Sequence, residues 1–259
     1  MAPARPRVQS LDRALDLLEA LGAADELGVS ELAGRTGLVP STAHRLLTTL
    51  VARRFVSQTE RGRYQLGPMF LELTSGRDDP AVRLRGVARP HLRAIQHATG
   101  ETANLVILEG RSVVYLDQVE GSRTMRMFTE VGSTALAHST GAGKAILAWL
   151  APDDVHRIYG ELAEPLEQLT VRTLGTVAEL TEDLTRIRRR GYAIDDEEHE
   201  EGVSCVAAAV FDHSGEPRGA ISVSGPSGRI LNANTADLAT LIREHAARAS
   251  AALGYESSD

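Results

Sequence analysis

The sequence predicts an α+β protein made of a small helical domain with a hairpin in residues 1–76, a linker helix in residues 77–100 and an α/β domain in residues 101–259. Three observations support this. Apolar residues recur at helical spacing up to residue 52, a short glycine-centred hairpin pattern follows, and after residue 100 strand-like runs alternate with amphipathic helices. The 259 residues, 42% of them hydrophobic, are enough for two folded domains.

Composition excludes several classes of protein. No apolar run approaches the ~20 residues that span a membrane, and the first residues lack a signal-peptide pattern. Cys205 is the single cysteine, which excludes an internal disulfide and fits a reducing compartment. We therefore expect a cytoplasmic protein without a membrane segment. The net charge of −7 does not exclude nucleic-acid binding by the first domain, because residues 1–76 are slightly basic and the acidic excess lies after residue 76.

The first domain opens with three predicted helices. Ser10 is a candidate N-cap for the first helix, which ends near Gly22. Ser30 is predicted to start the second, and the Pro40-Ser41 pair opens the third after a short break. Three helices with a tight break before the third are typical of a helix-turn-helix.

The third helix has a mixed outer face. Its apolar residues recur at helical spacing and face inward, which leaves small hydroxyls, an imidazole and an arginine outside: Ser41, Thr42, His44, Arg45 and Thr48. Such side chains can reach phosphates and base edges in a DNA major groove. An ordinary surface helix would show the same pattern, so this helix alone leaves both interpretations open.

A basic hairpin follows the third helix. Two strand-like runs flank Gly62, with Arg61 and Arg63 beside it, and this order predicts a wing that contacts DNA phosphates or the minor groove. Arg5 and Arg7 form a candidate minor-groove arm, although a plain tail is an equal alternative.

The α/β pattern after residue 100 predicts a hairpin at 103–119, a third strand at 124–129, and further strands at 192–195, 203–211 and 218–224. Helices are predicted at 141–150, 152–159, 176–190 and 232–253. The linker contains Pro90, so we expect a kink or two successive helices there, together with part of a dimer contact.

These motifs resemble the IclR-type family of bacterial transcriptional regulators over almost the whole chain. The resemblance lies in GVSELAGRTGLVPSTAHRLLTTL and RGRYQLG of the first domain, and in TGAGKAILA, GYAIDDEEHEEGVSCVAAAVFD and AISVSGPSGRI of the second. Several motifs are similar to the branch that includes the glyoxylate-bypass repressor. The resemblance implies a winged helix-turn-helix domain, an effector-binding domain with a curved antiparallel sheet, and a homodimer or dimer of dimers on palindromic double-stranded DNA.

A candidate effector site lies in the second domain. Gly141 and Ala142 open a predicted helix, where free N–H groups favour an anion. Ser222 and Ser224 face the same side of a predicted strand. Cys205 has small neighbours, which leaves room for a ligand, and Asp195 lies at the end of a strand. The resemblance adds Thr124, Met127 and Ala135 as lining positions, where Thr124 and Ala135 stand in place of larger aliphatic residues expected in the glyoxylate-responsive member.

Three motifs of the second domain admit other functions. The acidic run around His199 could hold a metal, but a solvated loop is the more usual meaning of such a run. Cys205 could be a nucleophile, yet its apolar strand favours a packed thiol. Lys144 follows glycines as in a phosphate loop, without that loop's other residues; it could lend charge near an anion or decorate the helix. We therefore predict no catalytic residue, metal or cofactor.

The sequence thus predicts a DNA-binding regulator, with repression of a catabolic operon favoured. Its effector would be a small carboxylate such as a 2-oxo or hydroxy acid. The alternative is an activator of an aromatic- or sugar-acid operon with a larger ligand. Two other hypotheses are an enzyme that uses Cys205 as nucleophile and a protein-interaction module that no longer binds DNA.

Overall fold

The computed structural model describes residues 8–74, 80–160, 165–232 and 235–256. The chain divides into two compact units, Met1–Asp78 and Asp79–Asp259. This boundary lies two residues beyond the predicted one. Arg5 and Arg7, the candidate arm, lie outside the described residues.

The first unit contains four helices and a two-stranded sheet within its described part. These are α1 (Gln9–Gly22), α2 (Val29–Thr36), α3 (Pro40–Ala52), β1 (Val56–Gln58), β2 (Tyr64–Leu66) and α4 (Met69–Thr74). The three predicted helices and the hairpin are therefore present, in the predicted order. Gly37 closes α2 with a φ of 65°, which makes the tight turn before α3.

The predicted serine caps of α1 and α2 are wrong. α1 begins after Val8, so Ser10 lies within its first turn. α2 begins after Gly28, whose N–H donates to Oε2 of Glu31 at 2.7 Å. The Glu31 side chain therefore satisfies the N–H of Gly28, the residue before α2, rather than one of the free N–H groups of the first helical turn.

A small core holds the first unit together. Leu17 and Leu21 of α1, Leu32 of α2 and Leu47 of α3 are almost fully buried in one cluster. The hairpin joins it through Tyr64, whose backbone exchanges two hydrogen bonds with Leu27 at 2.8 and 2.9 Å. The base of the hairpin is thereby fixed against the segment before α2.

The second unit has a six-stranded antiparallel sheet. Its strands are β3 (Thr102–Glu109), β4 (Ser112–Val119), β5 (Thr134–Leu136), β6 (Ala193–Asp196), β7 (Val203–Phe211) and β8 (Pro217–Pro226), in the spatial order β5-β4-β3-β8-β7-β6. The helices are α5 (Pro80–Thr99), α6 (Gly141–Leu147), α7 (Pro152–Tyr159), α8 (Val177–Arg190), α9 (Ser227–Ile230) and α10 (Thr235–Ala252). A short 3-10 helix, Ala137–Ser139, precedes α6.

Each face of this sheet is covered by its own helices. Ala103, Val206 and Val223 point to one face, where they pack with α5 and α10. Val106, Ala207 and Ala220 point to the other, where they pack with α6 and α8. We call this second side the α6 face. Because neighbouring residues of a strand alternate between the two faces, it also receives Cys205, Ser222 and Ser224.

One predicted strand of this unit is wrong. Residues 124–129 form no strand; β5 at Thr134–Leu136 is the strand that pairs with β4. Met125 and Phe128 are largely exposed, so the alternation in this segment does not correspond to one buried face. Of the two alternatives for the region around Pro90, two successive helices are excluded, because α5 continues through Pro90. It packs on β3, β4, β8 and α10, while its role as a linker stays a prediction.

No helix among the described residues is both long and apolar enough to cross a membrane.

Candidate DNA-binding surface and effector site

The outer face of α3 presents the predicted DNA-contact residues. Ser41, His44, Arg45 and Thr48 are exposed, and Thr42 is half-buried. The Thr48 hydroxyl donates to the carbonyl of His44 at 2.9 Å, which orients it along the helix. The groove-facing role of these five residues stays a prediction, but their side chains are accessible from solvent.

The two wing arginines have different surroundings. Arg61 is exposed and forms no ion pair with a described residue. Arg63 is half-buried: its Nε lies 3.1 Å from Oε1 of Glu26, and its Nη2 lies 2.8 Å from Oε2 of Glu31. The N–H of Gly28 and the charge of Arg63 hold the pKa of Glu31 below its ordinary value. Arg63 therefore links the wing to α2, whereas Arg61 is free to contact a phosphate.

In the second unit, four polar residues form a row across the α6 face. Asp195 of β6 lies opposite Cys205 of β7, Cys205 opposite Ser224 of β8, and Ser224 opposite Thr102 of β3. Residues that face each other in antiparallel strands point to the same side of the sheet. Ser222, two residues before Ser224, joins them. All five are buried.

The start of α6 lies against this row. A Cβ atom on Gly141 would lie only 2.8 Å from Sγ of Cys205, so the helix can approach the sheet this closely only with glycine here. The Thr140 hydroxyl accepts the N–H of Gly143 at 3.1 Å and caps the helix. The structure thus brings together Gly141, Ala142, Asp195, Cys205 and the two serines, as the sequence predicted.

Burial controls the ionisation of the row. It raises the pKa of Asp195 to about 7, against the hydrogen bond from the N–H of Glu198 at 2.7 Å. Burial, together with the nearby charge of Asp195, raises the pKa of the Cys205 thiol to about 12. Cys205 is therefore a neutral thiol at pH 7, which is the opposite of what a nucleophilic cysteine needs.

Besides Thr102, two further polar residues on the α6 face were not predicted. Asn104 of β3 lies opposite Ser222; its Nδ2 donates to the Ser224 hydroxyl at 3.4 Å, and its buried Oδ1 has no partner among the described residues. Tyr115 of β4 packs on the same face, and burial, with Cys205 and Asp195, raises its pKa. A polar residue within an apolar strand, as in ANLVIL and VVYL, is the signal that could have found them.

The three positions taken from the family resemblance differ in placement. The carbonyl of Met127 accepts the Thr102 hydroxyl at 2.6 Å, so this residue borders the row. Ala135 of β5 is buried on the α6 face, opposite Val113. Thr124 is exposed, and no described contact joins it to the row.

Lys144 does not decorate the helix surface, and its charge reaches the row, where it opposes the rise in the pKa of Asp195. It is buried, with Nζ 3.0 Å from Oδ2 of Asp183 and 2.5 Å from Oε1 of Glu198. His199 of the acidic run places Nδ1 3.1 Å from the Ser139 hydroxyl. Within the described ranges, no three His, Cys, Asp or Glu side chains are grouped as metal ligands.

Comparison with known proteins identifies the family. The model of the bacterial transcriptional regulator IclR C-terminal domain matches residues 81–251, and that of the IclR helix-turn-helix domain matches residues 10–60. The chain belongs to the IclR family of transcriptional regulators.

Individual IclR relatives agree over nearly the full length. The chain is 41% identical to the HTH-type transcriptional regulator BhcR of Paracoccus denitrificans, over 92% of this chain and 85% of that protein. It is 37% identical to the transcriptional repressor IclR of Escherichia coli, over 98% and 93% respectively. The crystal structure of Thermotoga maritima IclR matches with a TM-score of 0.63 and 31% identity, covering 96% of this chain and all of that one. The relatives are regulators rather than enzymes.

Proposed function

We propose that this IclR-family regulator is a cytoplasmic repressor of a catabolic operon, whose affinity for a palindromic operator changes when a small carboxylate binds on the α6 face. The observation that carries the proposal is the buried row of Asp195, Cys205, Ser222 and Ser224 under Gly141. A cluster of buried hydroxyls and a titrating carboxyl has no apolar packing role and suits a polar ligand.

A carboxylate suits this row because the side chains of the row can donate hydrogen bonds to its oxygens. The serine hydroxyls and the neutral thiol are donors, and Asp195, with a pKa of about 7, can hold a proton and donate as well. A hydroxy acid also offers a hydroxyl, which can donate a hydrogen bond to the unpartnered Oδ1 of Asn104. This supports a small oxygenated acid over a simple fatty acid.

DNA recognition in this proposal uses the accessible side chains of α3 and the wing. His44, Arg45 and Arg61 are exposed and free of ion pairs with described residues. The first helix adds support for a two-fold assembly, since Val8, Leu11 and Leu15 form an exposed apolar stripe. A homodimer, or a dimer of dimers, would place two α3 helices on half-sites about 34 Å apart or a multiple of it.

Repression is favoured because relatives in Escherichia coli are named repressors, IclR at 37% and AllR at 33% identity. The test is fluorescence anisotropy with DNA from upstream of the protein's own gene. We expect specific binding that glyoxylate, pyruvate or glycolate alters, and a Ser224→Ala variant that binds DNA normally but no longer responds. Absence of specific DNA binding would refute the regulator proposal, and a response retained by Ser224→Ala would refute the ligand site.

A further inference from the structure

A second cavity lies away from the row around Cys205. It has a volume of about 680 Å³ and lies between the end of α8, β7 and α10. Small-molecule sites commonly measure about 300–1,000 Å³. We call it the α8–α10 groove. All of its lining residues belong to the second unit, and none belongs to the row around Cys205.

Three aromatic rings line one part of the groove. Trp149 meets Phe211 edge to face with ring centroids 5.2 Å apart, and Phe211 stacks on Tyr255 at 5.0 Å. Trp149 is 40% exposed, which leaves part of the indole uncovered. Rings arranged in this way offer a surface on which a further planar ring can stack.

Arginines line the other part, and two of them are held in place by backbone. Arg188 donates to the carbonyls of Ala148 and Leu150, and Arg190 donates to the carbonyl of Tyr192 at 2.6 Å. All three of these hydrogen bonds go to backbone carbonyls rather than to carboxylates. Both arginines therefore contribute positive charge to the wall, although Arg190 also interacts with the carboxylate of Asp183.

The other two arginines, Arg189 and Arg243, are exposed and form no ion pair with a described residue. Nε of Arg243 lies 3.0 Å from where a Cβ would stand on Gly191, so this guanidinium rests on the chain two residues beyond Arg189. A helix dipole accounts for cations at the end of α8, but not for Arg243, which comes from α10. Like charges converging in this way favour a bound anion.

The acidic side chain that lines the groove, Glu244, lies 3.6 Å from Arg248 and does not neutralise this cluster.

We propose that the α8–α10 groove is a second ligand site, which binds a planar aromatic carboxylate. Its ring lies against Trp149 and Phe211, and its carboxylate pairs with Arg189 and Arg243. Guanidinium groups bind carboxylates through paired hydrogen bonds, which sets this class apart from neutral aromatics.

The test uses the full chain and its own fluorescence, because Trp149 is the single tryptophan of the sequence. Titration with benzoate is expected to change the Trp149 emission with saturation. Arg189→Ala and Arg243→Ala should each weaken the benzoate affinity about tenfold, as expected for a lost charged hydrogen bond. Cyclohexanecarboxylate, which keeps the carboxylate and lacks the flat ring, should bind several-fold more weakly.

Two controls separate this site from the rest of the protein. Arg83→Ala removes an exposed arginine of α5 outside the groove and should leave the benzoate affinity unchanged. Ser224→Ala, in the row, should leave it unchanged as well, so failure of the proposed effector site does not affect this test. The inference is overturned if benzoate produces no saturable change, if both groove variants titrate like the wild type, or if Ser224→Ala abolishes binding. It is also overturned if Arg243→Ala dissociates the oligomer in light scattering, which would make the groove a subunit interface.

Discussion

Nζ of Lys144 lies 2.5 Å from Oε1 of Glu198, and the same amine lies 3.0 Å from Asp183, inside the second unit. Lys144 is 1% exposed. Burial opposes ionisation of Asp183, but Lys144 outweighs it and holds the pKa of Asp183 below its ordinary value. For Glu198, burial prevails and the pKa is raised. This triad joins α6, α8 and the loop after β6, next to the carboxyl of Asp195.

Replacing Lys144 with methionine should strongly destabilise the protein. The variant leaves the buried Glu198 without a cation and leaves Asp183 with Arg186 alone at 3.2 Å, which costs about 3–5 kcal/mol at pH 7. Because the folded variant then favours protonated acids, its deficit relative to the wild type should shrink as the pH falls from 7 to 5. Urea unfolding at both pH values measures this.

Arg157→Ala is the matched control for Lys144→Met, since it removes an exposed ion pair with Asp154. We expect a change below about 0.5 kcal/mol. Equal losses in the free energy of unfolding for the two substitutions would show that the buried triad contributes no more to stability than an exposed ion pair.

Asp195→Asn should stabilise the protein above pH 7 and change little at pH 5. The folded-state pKa of about 7 lies above the ordinary value of 3.8. Between pH 3.8 and 7, the carboxyl of Asp195 is therefore protonated in the folded state and ionised in the unfolded state. Wild-type stability therefore falls as the pH rises toward 7 and levels off above it. Asparagine cannot ionise, and its Oδ1 still accepts from Glu198. Thermal unfolding from pH 5 to 8 tests the prediction; parallel curves for both proteins would contradict it.

The two wing arginines should separate stability from DNA binding. Arg61→Ala should lower operator affinity with a shallower salt dependence, because one phosphate contact is lost, and should leave the melting temperature unchanged. Arg63→Ala should lower the melting temperature of the first unit, because it removes the ion pairs with Glu26 and Glu31. These pairs are partly exposed, so we expect the loss in the free energy of unfolding to be no more than about 1 kcal/mol.

Anisotropy across a salt series and thermal unfolding of both wing variants distinguish these effects. The interpretation fails if Arg63→Ala unfolds like the wild type while its salt dependence becomes shallower.

Tyr115→Phe should change effector selectivity while keeping the fold. Tyr115 packs on the α6 face near Cys205 and Asp195, and phenylalanine preserves the ring while removing the hydroxyl. A ligand that uses this hydroxyl should bind the variant about 3- to 10-fold more weakly, as for a lost neutral hydrogen bond. Isothermal titration with glycolate and pyruvate tests it, with Ser224→Ala as the variant expected to lose both. Unchanged affinity for each acid would remove Tyr115 from the site.

The sequence alone determined the elements whose cause is local. Helical periodicity, Pro40 at the start of α3 and Gly62 in the hairpin placed the first unit correctly, because these signals act within a few residues. The TGAGKAILA and SGPSGRI motifs indicated the family for the same reason: the glycines and serines in them occupy defined positions. The prediction of a strand at 124–129 was wrong because alternation of apolar and polar residues shows only that a segment could form a strand, not whether a partner strand is available.

Only the tertiary structure decided which polar groups meet. The register of β6, β7, β8 and β3 brings Asp195, Cys205, Ser224 and Thr102 into one row, although they lie up to 122 residues apart in the chain (224 − 102). It also paired Lys144 with acids from two other segments, left Asn104 with an unpartnered oxygen, and held Arg63 against α2 while leaving Arg61 exposed. Charge and hydrogen-bonding capacity are properties of a residue, but their use depends on neighbours that pairing across the sheet supplies.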